Sequence, residues 1–347
     1  MTHRRRWTWT GTAIITALAG LIALSIQGCA PAAPADAASL TGSHAVSIAR
    51  AQAVFASVTK NIDQAAAQAD QAAALNYVTG AAYSWATGQY AAQTSASIPV
   101  PRYRYTNLTF LVPALHSYPQ WFVVEASRST VTSGPASAPA SPTVRTLLLF
   151  SRQKEKLSWT MAGQAVLTGK LPAIAMDHGY VVPVSTTDPQ LLLRPDVVGA
   201  TQAAVVDEGP SAPAGSVVAS GPHTDGLYAA QKAHASAVAA QHLLYTWLLE
   251  GAAFPQVGLR LSNGGALVLY GMYLNTSTEH PNLDEGTPIK VPAGFFPLFA
   301  APTEVGYHQV VANWTYQYAA IDPAASTHGA KLSVIGAQGV PTFGHAY

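Results

Sequence analysis

The chain predicts an α+β fold of two similar units, each a long helix packed on a curved antiparallel sheet. Three observations carry this expectation. An apolar stripe of helical period opens at Ile48, and runs of aromatic and β-branched residues follow it beyond Pro99. The same order, helix and then strands, returns after residue 224.

Ile48, Ala51, Phe55, Val58, Ile62, Ala65, Ala69 and Ala72 recur at steps of three and four, giving one apolar stripe over about seven turns. Arg50, Gln52, Lys60, Gln64 and Gln71 occupy the opposite side. The small alanines late in the stripe leave room for another element to approach closely. Gly80 interrupts the pattern, and Ala81–Ala92 continues as a second helical piece carrying Tyr83, Trp85 and Tyr90. Strands are expected at Tyr103–Val112, Trp121–Arg128, Val144–Arg152 and Leu157–Leu167. Their breaks are Pro113–Pro119, the Ser/Pro/Ala-rich Ser129–Pro142, which reads as a mobile surface loop, and the charged turn Gln153–Lys156.

Residues 201–224 hold Gly209-Pro210, Pro213, Gly215 and Gly221-Pro222 with little periodicity, and read as a linker. A second helix is expected over Asp225–Leu249, ending at Gly251 before Pro255. Val257–Leu261 and Ala266–Asn275 then flank Ser262-Asn263-Gly264-Gly265, a hairpin signal for a type I′ turn. Along Tyr307–Ile321, His308, Val310, Ala312, Trp314, Tyr316 and Tyr318 alternate with Gln309, Asn313, Thr315 and Gln317, which predicts one buried and one wetter face.

Near the end of each half the text almost repeats. Lys156-Leu157-Ser158 leads to Gly163-Gln164-Ala165-Val166, and Lys331-Leu332-Ser333 leads to Ala337-Gln338-Gly339-Val340. The expected units are therefore residues 43–200 and 225–347, joined by 201–224. By analogy the curved sheet under a helix resembles the cystatin-like or nuclear-transport-factor-2-like architecture.

Ahead of this lies an export signal. Arg4-Arg5-Arg6 precedes an uncharged apolar run from Trp7 to Ile26, and Ile26-Gln27-Gly28-Cys29 has the shape of a lipobox, with Gln27 a mild departure. The pattern implies cleavage between Gly28 and Cys29 and a diacylglyceryl group on Cys29. Two acyl chains hold lastingly where one is marginal, since each buried methylene adds about 0.8 kcal/mol. An uncleaved transmembrane helix is the alternative reading of the leader, and Sec and twin-arginine export both stay open. The expected location is the extracytoplasmic face of the cell membrane, with residues 29–42 a Pro/Ala tether. Cys29 is the sole cysteine, so no internal disulfide can form.

Composition narrows the partners. Without the three leader arginines, the 18 Lys and Arg fall to 15 against 17 Asp and Glu. That balance argues against nucleic acid, which needs clustered cations. The charged fraction is only 10% of the whole chain, well below the usual quarter.

Several segments together resemble one family. They are the Ala-rich helix with Ala66 to Asp70, the Tyr103–Val112 strand leading to Pro113, and Tyr118-Pro119-Gln120-Trp121-Phe122. Thr224-Asp225-Gly226 and Asn263-Gly264-Gly265-Ala266-Leu267-Val268 complete the set. The chain resembles the uncharacterised lipoproteins of actinobacteria that carry a large conserved domain of unknown function. The resemblance implies an envelope location and transfers no site residues.

Motifs for chemistry are sparse. The eleven histidines show no His-x-x-x-His or His-Glu-x-x-His spacing, so no metal site and no cofactor are expected. Asp177-His178-Gly179 is the one Asp-His neighbour pair and falls in a turn after Met176. Ser57 with Lys60 and Ser151 with Lys154 fit Ser-x-x-Lys, but the Ser-Asp-Asn and Lys-Thr-Gly partners are missing. Gly163–Lys170 has the wrong spacing for a phosphate loop, with Leu171 where Ser or Thr is needed. The sequons at Asn107, Asn275 and Asn313 carry little meaning in an exported bacterial protein.

Glu125 is the acidic residue embedded in a strong strand, on one face between Val123 and Ser127 and near Trp121. In a sheet cup it could serve as a base, and a neighbouring arginine is its commoner companion. Tyr118 and Trp121 follow a Pro-broken loop and could line a ligand mouth, with core packing the plainer role. No complete catalytic set emerges. The expectation is a non-enzymatic envelope module binding another envelope protein, a peptide or a small ligand, with no catalytic residues. An enzyme using the sheet cup is one alternative. A transporter's solute-binding lipoprotein is the other, disfavoured because repeated βα alternation is missing.

Overall fold

Ser47 opens the first helix, α1 (Ile48–Ala67), its hydroxyl accepting the Arg50 N–H. Here and below, the protein is seen in a computed structural model that describes residues 45–131, 142–282, 289, 291, 295–298 and 308–347. Gly28, Cys29, the tether and most of the Ser/Pro/Ala loop lie outside the described residues. Ala51, Val54, Phe55, Val58 and Ala65 bury one face of α1. The helix is shorter than the stripe predicts, because Ala69 takes φ 52° and Asp70 caps a new turn, α2 (Gln71–Leu75). Ile48, first in the stripe, stays exposed at the opening turn. The third helix, α3 (Gly80–Ala96), starts on Gly80 itself, whose φ is 54° and where a Cβ would sit 3.0 Å from Ala162 O.

Four strands follow as an antiparallel meander: β1 (Tyr103–Leu111), β2 (Gln120–Thr130), β3 (Val144–Arg152) and β4 (Thr160–Leu167). Phe122, Val124, Ala126, Leu148, Phe150 and Met161 point toward the helices, and Phe122 stacks on Phe150 at 4.9 Å. Val123, Leu147, Leu149, Ala165 and Leu167 point the other way. There they meet Leu259, Leu267, Leu269 and Ala319 from the second half in a shared core.

Two short strands, β5 (Met176–Asp177) and β6 (Tyr180–Val181), form a hairpin, and β7 (Pro183–Val184) joins the main sheet. The second helical segment comprises α4 (Pro195–Glu208) and α5 (Asp225–Ala239). The remaining strands are β8 (Leu244–Gly251), β9 (Val257–Arg260), β10 (Ala266–Glu279), β11 (Gln309–Asp322) and β12 (Ser333–Ala346). The fold class is α+β, as expected, around a large antiparallel sheet. Its order among the described residues is β1-β2-β3-β4-β12-β11-β10-β9-β7, with β8 also on β10.

Three expectations are corrected. Residues 201–224 are no linker: 201–208 complete α4, where Val198, Gln202, Val205 and Val206 repeat at helical spacing and are buried, and beyond it Val218 and Thr224 are buried as well. The expected boundary there is crossed by pairing of β4 with β12, Leu167 opposite Gly336 and Val166 opposite Ala337, and the described residues form one compact unit. The helix expected to reach Leu249 stops at Ala239. His242 takes φ 60°, and Leu244–Gly251, rich in aromatic and aliphatic residues, pairs along β10 instead. The wet face of β11 is also dry in its middle, with Thr315, Gln317 and Ala319 buried as fully as Tyr318 and Ala320. Polar alternation misleads there because the sheet is covered on both sides.

The Asn263-Gly264 hairpin forms with a different turn. Only Gly264 has positive φ (87°), Gly264 N–H donates to Leu261 O, and the Asn263 side chain accepts the Gly265 N–H. This is a type I turn followed by a left-handed glycine. The doubly positive pair occurs at His178-Gly179, with φ 47° and 85°, joining β5 to β6.

Candidate functional site

Between the first helices and the meander lies a narrow cleft with a volume of about 70 Å³. Helix spacing builds its walls. Thr59, Ile62, Asp63 and Ala66 come from one side of α1, and Ala82, Trp85, Ala86, Gln89 and Tyr90 from one side of α3. Tyr103 and Tyr105, two apart on β1, and Met161 with Gln164 on β4 supply the floor. Alanines at 66, 74, 82 and 86 are what leave the space open, since a larger side chain at any of them would occupy it.

Each aromatic wall is fixed. Trp85 donates its indole N–H to Thr315 O at 2.9 Å, and Tyr105 packs edge-on against Phe55 at 5.9 Å. At the mouth Arg102 clamps Asp63 with two bonds, Nε to Oδ1 at 2.8 Å and Nη2 to Oδ2 at 2.7 Å. The Arg102 guanidinium holds the Asp63 carboxyl below its usual range. Their charges therefore cancel at the entrance.

The interior is polar at a few points only. The Tyr90 hydroxyl is buried without a hydrogen-bond partner, in a residue 2% exposed, and burial raises its pKa. The Tyr105 hydroxyl reaches Gln164 Oε1 at 3.4 Å, a long contact, and burial pushes its pKa far up. Arg128 does not line the cleft; it stands opposite Tyr105 in the β1–β2 register with its guanidinium 4.6 Å over the Tyr103 ring. Its Nη2 donates to Gln338 Oε1 on β12 at 3.2 Å, passing over β3 and β4 on the helix side, while Nη1 is buried without a partner.

The residues singled out from the sequence lie elsewhere and do not converge. Glu125 accepts the Arg145 Nε–H at 3.1 Å and also pairs with Arg145 Nη2, so it is the arginine companion that holds it. The Tyr118 hydroxyl accepts from Arg152 Nη2 at 2.9 Å, and Trp121 packs into the core between the two halves. Asp177 and His178 pair on an exposed turn. Ser57 sits on α1 as expected. What was missed, Tyr90, Tyr103, Tyr105 and Gln164, left two signals: the alanine run and the Tyr103/Tyr105 alternation.

Among the described residues no group of three or more His, Cys, Asp or Glu could hold a metal ion, and no helix is long and apolar enough to cross a membrane. The fold and the cleft together define an α+β chain with a small, mostly apolar site beneath its first helices. The chain belongs to the family of the domain of unknown function DUF8094, matched over residues 43–341. It is similar to an uncharacterized lipoprotein of Streptomyces avermitilis, 28% identical over 167 residues, which is 48% of this chain and 46% of the relative. The similarity thus spans about half the length of that relative. No solved structure matches.

Proposed function

We propose that the protein is a lipid-anchored envelope lipoprotein whose folded part binds a small ligand in the cleft beneath α1 and α3. The observation that carries the reading is the buried Tyr90 hydroxyl, left without a partner in a mostly apolar cleft. An orphaned buried hydroxyl costs about 1–3 kcal/mol, which a ligand oxygen would offset. Membership in the family, a relative named as a lipoprotein and the Ile26–Cys29 pattern support the anchor, with Cys29 acylated and the domain outside the cytoplasm.

A binding role rather than a catalytic one is supported by how the titratable groups are held. Asp63 is neutralised by Arg102, Glu125 by Arg145, and the Asp177–His178 pair faces water. The helix-then-meander order of both halves, joined through their last strands, supports reading the cup as one of two related units. The test is purification of the full chain from its own membrane, followed by denaturation and mass spectrometry of what is released. A small molecule released from the wild type and lost from Ala86→Phe, which fills the cleft, is the expected result. Equal release from both, or none from either, overturns the reading. Cys29→Ser is expected to leave the membrane fraction, and retention there would remove the anchor.

A further inference from the structure

We propose that a groove beside α3, separate from the cleft, holds an uncharged glycan chain against exposed aromatic rings. Tyr83 and Ser84 of the groove come from α3, Tyr273 from β10, Asn313 and Thr315 from β11, and Phe343 from β12. Close packing fixes α3 there: Trp85 donates to Thr315 O at 2.9 Å, and a Cβ on Gly88 would stand 2.8 Å from Pro341 O. The groove has a volume of about 230 Å³. Tyr83, Ser84 and Tyr273 also line an adjoining hollow of about 650 Å³, which reaches Gln153 and Phe254.

Two properties of the lining point to that occupant. First, among the described residues none that lines either space is Asp, Glu, Lys, Arg or His. Glu250, opposite Tyr273 in the β8–β10 register, lies outside the lining and accepts Asn275 Nδ2 at 2.6 Å. A charged ligand would therefore leave water without a counter-charge in the groove. Second, rings and neutral polar groups alternate. Tyr83 and Phe343 are 47% and 48% exposed, and Phe254 holds the Tyr273 ring edge-on at 5.2 Å. Past Phe343 the exposed rings of His345 and Tyr347 continue the row, with centroids 6.3 and then 4.4 Å apart. Asn313, opposite Phe343 in the register, has its Oδ1 buried without a hydrogen-bond partner. A sugar ring has the matching halves, an apolar C–H face to lie on an aromatic ring and a rim of hydroxyls that donate and accept. A lipid chain would leave the Ser84 hydroxyl and the Asn313 amide unmet. A peptide added as a strand needs a free backbone edge, and β10 and β11, which carry Tyr273, Asn313 and Thr315, are paired on both sides there. The length of the ring row suits a chain of sugars over a single one.

The probe is polysaccharide extracted from the protein's own envelope and split by anion exchange into a neutral and an anionic fraction. The full chain in detergent is run in native gels cast with either fraction, and its retardation gives an apparent Kd. The expected result is retardation by the neutral fraction that survives protease treatment of that fraction. Tyr83→Ala and Phe343→Ala, both at exposed rings, each weaken it roughly tenfold, while Ile48→Ala at the exposed start of α1 leaves it unchanged. No retardation by the neutral fraction overturns the proposal, as does retardation as strong by the anionic one. Loss on protease treatment assigns the groove to a peptide instead, and wild-type affinity in both ring variants places any binding elsewhere; either result also overturns it.

Discussion

Raising the pH from acid to neutral will weaken this fold through one side chain, Asp322. The carboxyl ends β11 and is fully buried. Its Oδ1 accepts the Leu193 N–H at 3.3 Å, and its Oδ2 has no partner. Burial pushes its pKa up to about 7, the Leu193 bond opposing only part of that shift. In the unfolded chain the same group titrates near 3.9. Below about pH 4 both states hold the proton and the contribution to stability is complete. Between about 4 and 7 the unfolded state gives up its proton while the native state keeps it, so the unfolded state binds fewer protons and stability falls with pH. Above about pH 7 the loss is complete, at about 4 kcal/mol for a shift of roughly three units. Asp322→Asn carries no proton to lose. Urea denaturation of both proteins from pH 4.5 to 8.5 gives the difference directly, since other titrating groups cancel. The variant gains steadily on the wild type as pH rises and levels off near neutrality. A difference that stays flat with pH refutes the buried neutral carboxyl.

Three further outcomes follow from packing. At Gly88, α3 lies on β12 so closely that a Cβ would stand 2.8 Å from Pro341 O and 3.0 Å from Thr342 Cα, so Gly88→Ala costs about 1–3 kcal/mol in thermal or urea unfolding despite alanine's better helix propensity. Phe122→Ala removes a fully buried ring stacked on Phe150 and costs about 3–5 kcal/mol by the same measurement. Arg145→Ala frees Glu125 at a partly exposed pair and changes stability by no more than about 1 kcal/mol, a larger loss being evidence of a role beyond the surface.

Local pattern made much of the fold legible. The Val144–Arg152 strand forms with the bounds its run of branched and apolar residues predicts, and β9 and β10 start where expected, at Val257 and Ala266, with β10 running on past Asn275 to Glu279. Errors came where a local signal was overruled by what packs on it. Gly209-Pro210 and Pro213 suggested a loose connection, although Pro195 sits at the first turn of α4, where its missing N–H costs nothing, and the four buried positions behind it keep a helical period. Leu244–Leu249 continues an apolar helical pattern on paper. It becomes a strand because β10 offers it eight consecutive register partners, from Leu244 opposite Glu279 to Gly251 opposite Met272. The near-repeated words around Gln164 and Gln338 prove to lie on strands that pair with each other, Val166 opposite Ala337, which no reading of either word alone shows.

The site was harder to read for a geometric reason. Sequence reasoning ranked residues by their own chemistry and chose Glu125, Tyr118 and Trp121, each of which the fold commits to a partner or to the core. The cleft instead arises from what is small, Ala66, Ala74, Ala82 and Ala86, set against Tyr103 and Tyr105 of the first strand. An alanine reads as helix filler until something faces it. Functional demand in this protein is therefore written as missing volume beside an orphaned hydroxyl, that of Tyr90. Ala86→Phe returns the volume, so a small molecule released from the wild type is expected to be lost from the variant.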